Sequence, residues 1–253
     1  MNAKRLLRPA HGERLGAAWT TVWAVLYGPF SLLIKSSYRH LDRLPEQGAA
    51  ILVTNHISHV DPFLIAKMII DGGRTPRFLA KSTIFDVKVI GAAMRGMGHI
   101  PVKRGSADAR QSLSAAVDSL RSGRILALHP EGTVTRDPAG WPMSGKTGAA
   151  RLAMLVPDIV VIPVAQWGVQ DSIDLYRRKV RLVPRPKHTL SIGEPIDLSA
   201  FRGREPTPAV LKEITELIMV RLRADVAELR GVPAPPGPLF HWVRRPDSRE
   251  DAA

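Results

Sequence analysis

The residues best suited to chemistry are an imidazole and a carboxylate, His56 and Asp61, five positions apart. They follow the apolar run 49–53, which predicts a short buried strand giving way to a helix. A carboxylate that accepts from one ring nitrogen fixes the tautomer, so the other nitrogen can take a proton from a hydroxyl. Because no obvious enzyme nucleophile stands nearby, the pattern predicts that His56 activates a substrate hydroxyl and that Asp61 orients it.

The same spacing also arises where a histidine merely ends a strand and an aspartate merely caps a helix. Three further blocks of sequence favour the chemical interpretation. They are Gly98-His99-Ile100-Pro101-Val102-Lys103-Arg104, then His129-Pro130-Glu131-Gly132-Thr133 after the apolar run 125–128, and finally Val160-Val161-Ile162-Pro163-Val164-Ala165.

In this order the four blocks resemble the glycerolipid acyltransferase family, typified by 1-acylglycerol-3-phosphate acyltransferases. The family patterns are N-H-x-S-x-x-D, G-x-x-F-I-x-R, F-P-E-G-T-R-S and V-x-P-V. The resemblance runs from about Asn55 to Ala165, and the first block matches in full. It implies acyl transfer from a thioester, with His56 as general base and Asp61 as its partner.

The most marked departures from these patterns are at three positions. Pro101 stands where the second block has an aromatic residue, although Arg104 keeps its place. His129 replaces the phenylalanine of the third block. Val134 stands where that block has arginine, and Arg136 follows two positions later. The resemblance therefore supports the reaction better than it supports a particular acceptor.

The resemblance also assigns three cations to the substrates: Lys81, Arg104 and Lys146. Arg104 matches the basic residue of the second block, which contacts the acceptor phosphate, and a guanidinium can hold phosphate oxygens bidentately. Lys81 is a second phosphate candidate. Lys146 is expected to bind phosphate or the nucleotide of the acyl donor. The alternative for each of them is a solvated surface cation.

The third block is associated with holding the acceptor, and it contributes Glu131, Gly132 and Thr133. A carboxylate can accept from a glycerol hydroxyl, and glycine lets the backbone approach a ligand closely. Outside this context, a Pro-Glu-Gly turn would indicate only a loop.

Composition narrows the chemistry further. The chain has no cysteine, which excludes disulfides, thiolate zinc sites and cysteine nucleophiles. His56 and His59 are three residues apart without further clear ligands, which is poor support for zinc. No Gly-x-Ser-x-Gly elbow is present to form an acyl-enzyme. We expect no metal and no cofactor.

The net charge of +13 suggests a polyanionic partner: nucleic acid, anionic lipid or a phosphorylated substrate. A genome rich in G and C would also produce an arginine-rich chain. The sequence contains no zinc-finger, RNP-like or helix-turn-helix signature, and it has few aromatic residues for base stacking. We therefore expect an anionic membrane surface as partner and no nucleic acid.

Residues 15–34 carry no charge and follow a basic stretch. Gly28-Pro29 predicts a break between two helices lying in the membrane interface, with Trp19, Trp23 and Tyr27 sharing one face at headgroup depth. A single membrane-spanning helix and an ordinary core helix are the alternatives. A signal peptide is disfavoured because no small-residue cleavage site follows.

The chain divides into a basic and apolar arm (1–40), an acyltransferase domain (41–231) and a Pro-rich, charged tail (232–253). Within the tail, 232–238 and the end after Arg244 are expected to be loosely ordered. Runs typical of strands alternate with runs typical of helices. This alternation predicts an α/β layered domain. We expect its fold to be a central mixed β-sheet flanked by helices. Helices are expected over 107–122, with Ser106 as N-cap, and from Thr207-Pro208 to Gly231. Two short strands, 180–183 and 189–192, are expected to pair near the edge of the sheet.

The leading hypothesis is an O-acyltransferase of phospholipid biosynthesis, peripheral or monotopic on the cytoplasmic face of the cell membrane. It would move a fatty acyl group from acyl-CoA or acyl carrier protein to the free hydroxyl of lysophosphatidic acid, giving phosphatidic acid. The acceptor could instead be glycerol 3-phosphate, another lysophospholipid or a glycolipid. Other classes are a thioesterase and a non-catalytic protein that binds membranes or nucleic acid.

Overall fold

The computed structural model of the chain describes residues 16–27, 32–102, 108–170, 172–174 and 179–242. The strands are β1 Lys35–Arg39, β2 Ala50–Thr54, β3 Pro76–Lys81, β4 Ile100–Val102, β5 Ile125–Leu128, β6 Val160–Trp167, β7 Ile173–Asp174, β8 Lys179–Val180 and β9 Lys187–Ile192. Seven of them form one sheet in the order β1-β9-β6-β2-β5-β3-β4, and β7 and β8 form a separate pair.

Helices cover both faces of the sheet. The α-helices are α1 Ala17–Val22, α2 Asp61–Asp71, α3 Ser82–Asp86, α4 Lys88–Gly96, α5 Asp108–Arg121, α6 Gly148–Leu155 and α7 Pro208–Arg230. One π-helical turn, Trp23–Tyr27, continues α1, and Leu41–Arg43 and Ser199–Phe201 are 3-10 helices. The ends of α7 follow local chemistry. The Thr207 hydroxyl accepts from the Val210 N–H at 3.3 Å, and Gly231 adopts a positive φ of 68°.

The centre of the sheet is parallel and fully buried. β2 pairs in parallel with both β5 and β6, and every residue of β2 is buried. β9 runs antiparallel to β6 and parallel to β1, so the sheet is mixed. Ile51 and Val53 pack with α5, α6 and α7 on one face, whereas Ala50 and Leu52 pack with α1 and α2 on the other. The predicted fold, a mixed sheet flanked by helices, is confirmed.

The amino-terminal region differs from the prediction. Lys35–Arg39, expected in the arm, forms a strand of the sheet. Trp19 is only 2% exposed, and its indole N–H donates to the Met97 carbonyl at 3.1 Å. The prediction that Trp19 and Tyr27 lie at headgroup depth is wrong, because both side chains are buried against α2 and α4. The predicted break at Gly28-Pro29 lies outside the described residues.

No helix in the described part of the chain is both long and apolar enough to cross a membrane. The helix predicted over 107–122 is observed as α5, and its expected cap Ser106 lies outside the described residues. The predicted pairing of 180–183 with 189–192 is wrong. β9 pairs with β1 and β6 instead, and β8 pairs with β7.

The described part of the tail contacts the domain at two places. Phe240 lies beside Met143 in a parallel bridge, and its carbonyl accepts from the Ser144 N–H at 2.9 Å. Arg223 on α7 donates to the Gly237 carbonyl at 2.9 Å. Loose order is predicted only for 232–238 and for the residues after Arg244, so the contacts of Phe240 do not bear on that prediction, and the residues after Trp242 lie outside the described range.

Candidate active site

The site forms where parallel strands end. His56 follows β2, Lys81 ends β3, and His129 and Glu131 follow β5. Because β2, β3 and β5 run parallel, their carboxyl ends meet at one edge of the sheet. Ligands bind at such an edge in open α/β sheets because the loops there converge.

Asn55 holds the end of β2 in place, a role that the sequence did not indicate. Its amide donates to the Gln166 carbonyl at 3.0 Å and accepts from the Gln166 N–H at 2.9 Å. The Gln166 side chain in turn donates to the Asn55 carbonyl at 2.6 Å. These three bonds fasten the residue before His56 to β6, so the backbone at His56 is rigidly placed.

His56 and Asp61 are hydrogen-bonded, as the sequence predicted for a base and its orienting partner. His56 Nδ1 lies 2.9 Å from Asp61 Oδ2, and the Asp61 side chain is fully buried. The same oxygen accepts from the N–H groups of Ile57 at 2.7 Å and Ser58 at 2.9 Å. With Nδ1–H donated to Asp61, Nε2 is left as the nitrogen able to accept a proton.

Burial sets the protonation of this pair. It lowers the pKa of His56 to about 3, with a smaller contribution from His59. The imidazole is thus neutral at pH 7, which is the form that a general base requires. Burial also raises the pKa of Asp61 to about 7, against the backbone hydrogen bonds from Ser58 and Ile57, which stabilise its carboxylate.

Glu131 supports the backbone of His56. Its Oε1 accepts from the His56 N–H at 2.8 Å, and its Oε2 accepts from the Met143 N–H at 3.0 Å. The residue is buried, which raises its pKa to about 8, while both backbone hydrogen bonds act to lower it. Glu131 therefore joins two loops beneath the site. Its predicted contact with an acceptor hydroxyl stays a prediction.

Gly132 and Lys146 lie against each other. Gly132 adopts a positive φ of 71°, and a Cβ at this position would come within 2.9 Å of the Lys146 Nζ. Any larger residue would be strained and would displace the ammonium. The Lys146 N–H donates to the Pro130 carbonyl at 2.8 Å, so the loop that carries Lys146 is bound directly to the third sequence block.

His129 occupies the position of the family phenylalanine, and its ring packs on His56. The ring centroids are 4.1 Å apart and the planes are inclined by 12°. His129 Nδ1 lies 2.6 Å from the Thr54 hydroxyl, which sets the ring orientation. Burial and the neighbouring His56 lower the pKa of His129 to about 3, so this ring too is neutral.

These side chains open onto a cavity of about 860 Å³. It is lined by most of the residues that the sequence singled out: His56, Lys81, Glu131, Gly132, Thr133 and Lys146. Asp61 lies behind His56, and Arg104 lies outside the described residues.

The sequence did not predict that Ser144, His241 and Trp242 also line this cavity. The last two come from the tail, whose contact with the site no local pattern reveals. No group of three or more His, Asp or Glu side chains suited to a metal ion occurs among the described residues. The arrangement is that of a neutral imidazole base beside cations able to hold an anionic substrate.

A family model described as Acyltransferase matches residues 35–167. The chain is 31% identical over 138 residues to the 1-acyl-sn-glycerol-3-phosphate acyltransferase LPAT1 of Arabidopsis thaliana chloroplasts, covering 53% of this chain and 36% of that protein. It is 30% identical over 138 residues to the chloroplast enzyme of the same description, BAT2, from Brassica napus, covering 53% and 38% respectively. The chain thus matches little more than a third of the length of these relatives.

Among solved structures, the fold is similar to the 1-acyl-sn-glycerophosphate acyltransferase PlsC from Thermotoga maritima. The TM-score is 0.59 at 22% sequence identity, and the match covers 85% of this chain and 93% of that one. At this identity the similarity supports the fold alone.

Proposed function

The chain belongs to the acyltransferase family, and from that premise we propose that it transfers a fatty acyl group from a thioester to the free hydroxyl of lysophosphatidic acid, giving phosphatidic acid. The donor would be acyl-CoA or acyl carrier protein. The observation that carries the proposal is the neutral His56, hydrogen-bonded to Asp61 and facing a cavity that also contains Lys81 and Lys146.

The reaction needs one base and no covalent enzyme intermediate. His56 Nε2 removes the proton from the acceptor hydroxyl as its oxygen attacks the thioester carbonyl. The new ester C–O bond forms, the C–S bond breaks, and the leaving thiolate takes the proton from His56. Asp61 stabilises the imidazolium that exists between these two proton transfers.

The acceptor carries a phosphate, whose negative charge is complementary to the lysine side chains of the cavity. Its hydroxyl and its phosphate are on adjacent carbons, so the phosphate must bind in the same cavity as His56. Lys81 and Lys146 line that cavity and supply the cationic groups for it. The curated relatives are described as acting on the same acceptor, 1-acyl-sn-glycerol 3-phosphate, which supports this choice.

The test is thiol release from palmitoyl-CoA by the purified chain with lysophosphatidic acid, glycerol 3-phosphate, lysophosphatidylinositol or no acceptor. Release that requires lysophosphatidic acid and is lost in His56→Ala would support the proposal. Release without an acceptor would instead indicate a thioesterase. Release only with another acceptor would reassign the substrate.

We further propose that the protein is peripheral on the cytoplasmic face of the cell membrane. Exposed apolar side chains on α3, on α4 and between them support the membrane association, because Val89 is 78% exposed and Ile84, Val87 and Ile90 are exposed as well. α3 begins at Ser82, which lines the cavity, so this surface adjoins the opening through which a lipid would enter. The net charge of +13 favours an anionic bilayer.

Co-sedimentation with vesicles containing phosphatidylglycerol tests the membrane proposal. Val89→Glu should weaken binding, because it places a charge in the apolar surface. Val220→Glu is the matched control, since Val220 is also exposed but lies on α7, across the sheet. Equal binding by both variants would show that the α3–α4 surface does not contact the bilayer.

A further inference from the structure

The cavity that contains His56 is completed by the tail segment Phe240–Trp242, whose last two residues line it. Two contacts attach this segment to one residue of the cavity wall. The Ser144 N–H donates to the Phe240 carbonyl at 2.9 Å, and the Ser144 hydroxyl lies 2.9 Å from His241 Nδ1. Ser144 is two residues before Lys146, so the segment is bound to the wall that carries that cation.

Trp242 is held separately, by a cation. The Arg136 guanidinium lies 5.4 Å from the centroid of the Trp242 ring. Arg136 is the arginine that the third block carries two positions late, while Val134, in the usual place of the arginine, is buried. Arg136 therefore packs on the tail segment Phe240–Trp242.

The contact with Ser144 determines which nitrogen of the His241 ring can donate a hydrogen bond. When the Ser144 hydroxyl donates to Nδ1, the ring proton is on Nε2, which becomes a donor. His241 is exposed and lines the cavity together with Lys81 and Lys146. A cavity lined by two ammonium groups and an imidazole N–H suits a phosphate group.

The chemistry of the two substrates decides which phosphate binds here. In the acceptor, the reacting hydroxyl and the phosphate are on neighbouring carbons. In acyl-CoA, by contrast, the long pantetheine arm separates the thioester from every phosphate. A phosphate-binding group in the same cavity as His56 therefore serves the acceptor.

We propose that the segment Phe240–Trp242 forms part of the acceptor headgroup site, with His241 donating an imidazole N–H to the acceptor phosphate. The proposal rests on the proposed function for the identity of the acceptor. In this arrangement Trp242, packed on Arg136, closes the cavity beside that phosphate, and the site is assembled only when the tail is docked.

Direct binding tests this without requiring turnover. The probe is a short-chain, monomeric 1-acylglycerol 3-phosphate, titrated calorimetrically into the full chain, with the corresponding 1-acylglycerol as a neutral comparison. His241→Ala should weaken binding of the phosphate probe about tenfold, the lower end for a hydrogen bond to a charged group. It should leave binding of the neutral probe unchanged. His241→Gln, which keeps an N–H donor, should recover part of the loss.

His40→Asn is the matched control, because His40 is exposed, does not line the cavity and has a left-handed backbone that asparagine tolerates.

Kinetics supply the second readout. His241→Ala should raise the KM for the acceptor and leave the KM for acyl-CoA unchanged. Equal weakening of both probes, an effect on acyl-CoA alone, or no change in phosphate binding would overturn the proposal. A chain that binds the probe through His241 yet transfers no acyl group would refute the proposed reaction and leave the phosphate site standing.

Discussion

The imidazole rings of His129 and His56 lie face to face, with centroids 4.1 Å apart and planes inclined by 12°. His129 is itself oriented by the Thr54 hydroxyl. Asp61 holds one edge of the His56 ring by a hydrogen bond, and the stacked His129 ring limits how far the His56 ring can tilt. An aromatic side chain at this position thus acts on the geometry of the base, and either histidine or the phenylalanine of the family pattern supplies a flat ring.

His129→Phe should therefore retain activity within a few-fold of the wild-type value, because the flat ring survives although its hydrogen bonds to Thr54 and Asn55 are lost. His129→Ala should lower kcat more strongly, by about tenfold or more, since His56 gains a cavity beside it and loses its preferred orientation. The measurement is kcat and KM for acyl transfer by both variants. Equal activity of the alanine and phenylalanine variants would show that the stacking is irrelevant to the reaction.

Glu131 should not tolerate the neutral isostere glutamine. Its two oxygens accept from the N–H groups of His56 and Met143, and a glutamine would direct its own NH₂ at one of these donors. Glu131→Gln should lower the free energy of unfolding by about 1–3 kcal/mol, the cost of an unsatisfied buried donor. Urea denaturation measures this, with kcat as a parallel readout. A glutamine variant with wild-type stability and a raised acceptor KM would mean that Glu131 serves the substrate only.

Trp19 and Trp23 should differ in their effect on stability. Trp19 is buried and donates to the Met97 carbonyl, whereas Trp23 is only partly buried. Trp19→Ala should destabilise the chain by about 3–5 kcal/mol, as expected for a large buried aromatic, and Trp23→Ala by clearly less. Thermal or urea unfolding compares them. Similar, small losses for both variants would indicate that α1 is not packed on the domain.

His188 should make stability depend on pH. Burial lowers its pKa from 6.5 to about 3, so between these values the unfolded chain binds a proton that the folded chain does not. The contribution of His188 to stability is therefore constant above pH 6.5 and falls as the pH drops below it, by up to about 1.4 kcal/mol per pH unit. His188→Gln should reduce the loss of stability below pH 6.5 without abolishing it, because burial also lowers the pKa of His56, His99 and His129. Urea unfolding from pH 7 to pH 4.5 measures both slopes, and identical slopes would contradict the assignment.

The sequence alone predicted the strands and helix ends that depend only on residues close together in the chain. The apolar run before Asn55 predicted the buried strand β2, and Thr207-Pro208 with Gly231 predicted the two ends of α7. The pairing of His56 with Asp61 was also predictable, because five residues of turn can bring a strand end and a helix start together in only a few ways. The alternation of strands and helices was enough to predict a layered α/β domain.

Tertiary structure decided whatever joins residues distant in the chain. Glu131 reaches the His56 backbone, Trp19 is buried against Met97, and His241 reaches Ser144, across separations of 75, 78 and 97 positions. No local pattern encodes these contacts. The contacts of Glu131 and His241 form because parallel strands bring loops from distant positions to one edge of the sheet. The contact of Trp19 forms because a buried indole N–H must find a hydrogen-bonding partner wherever the fold places it.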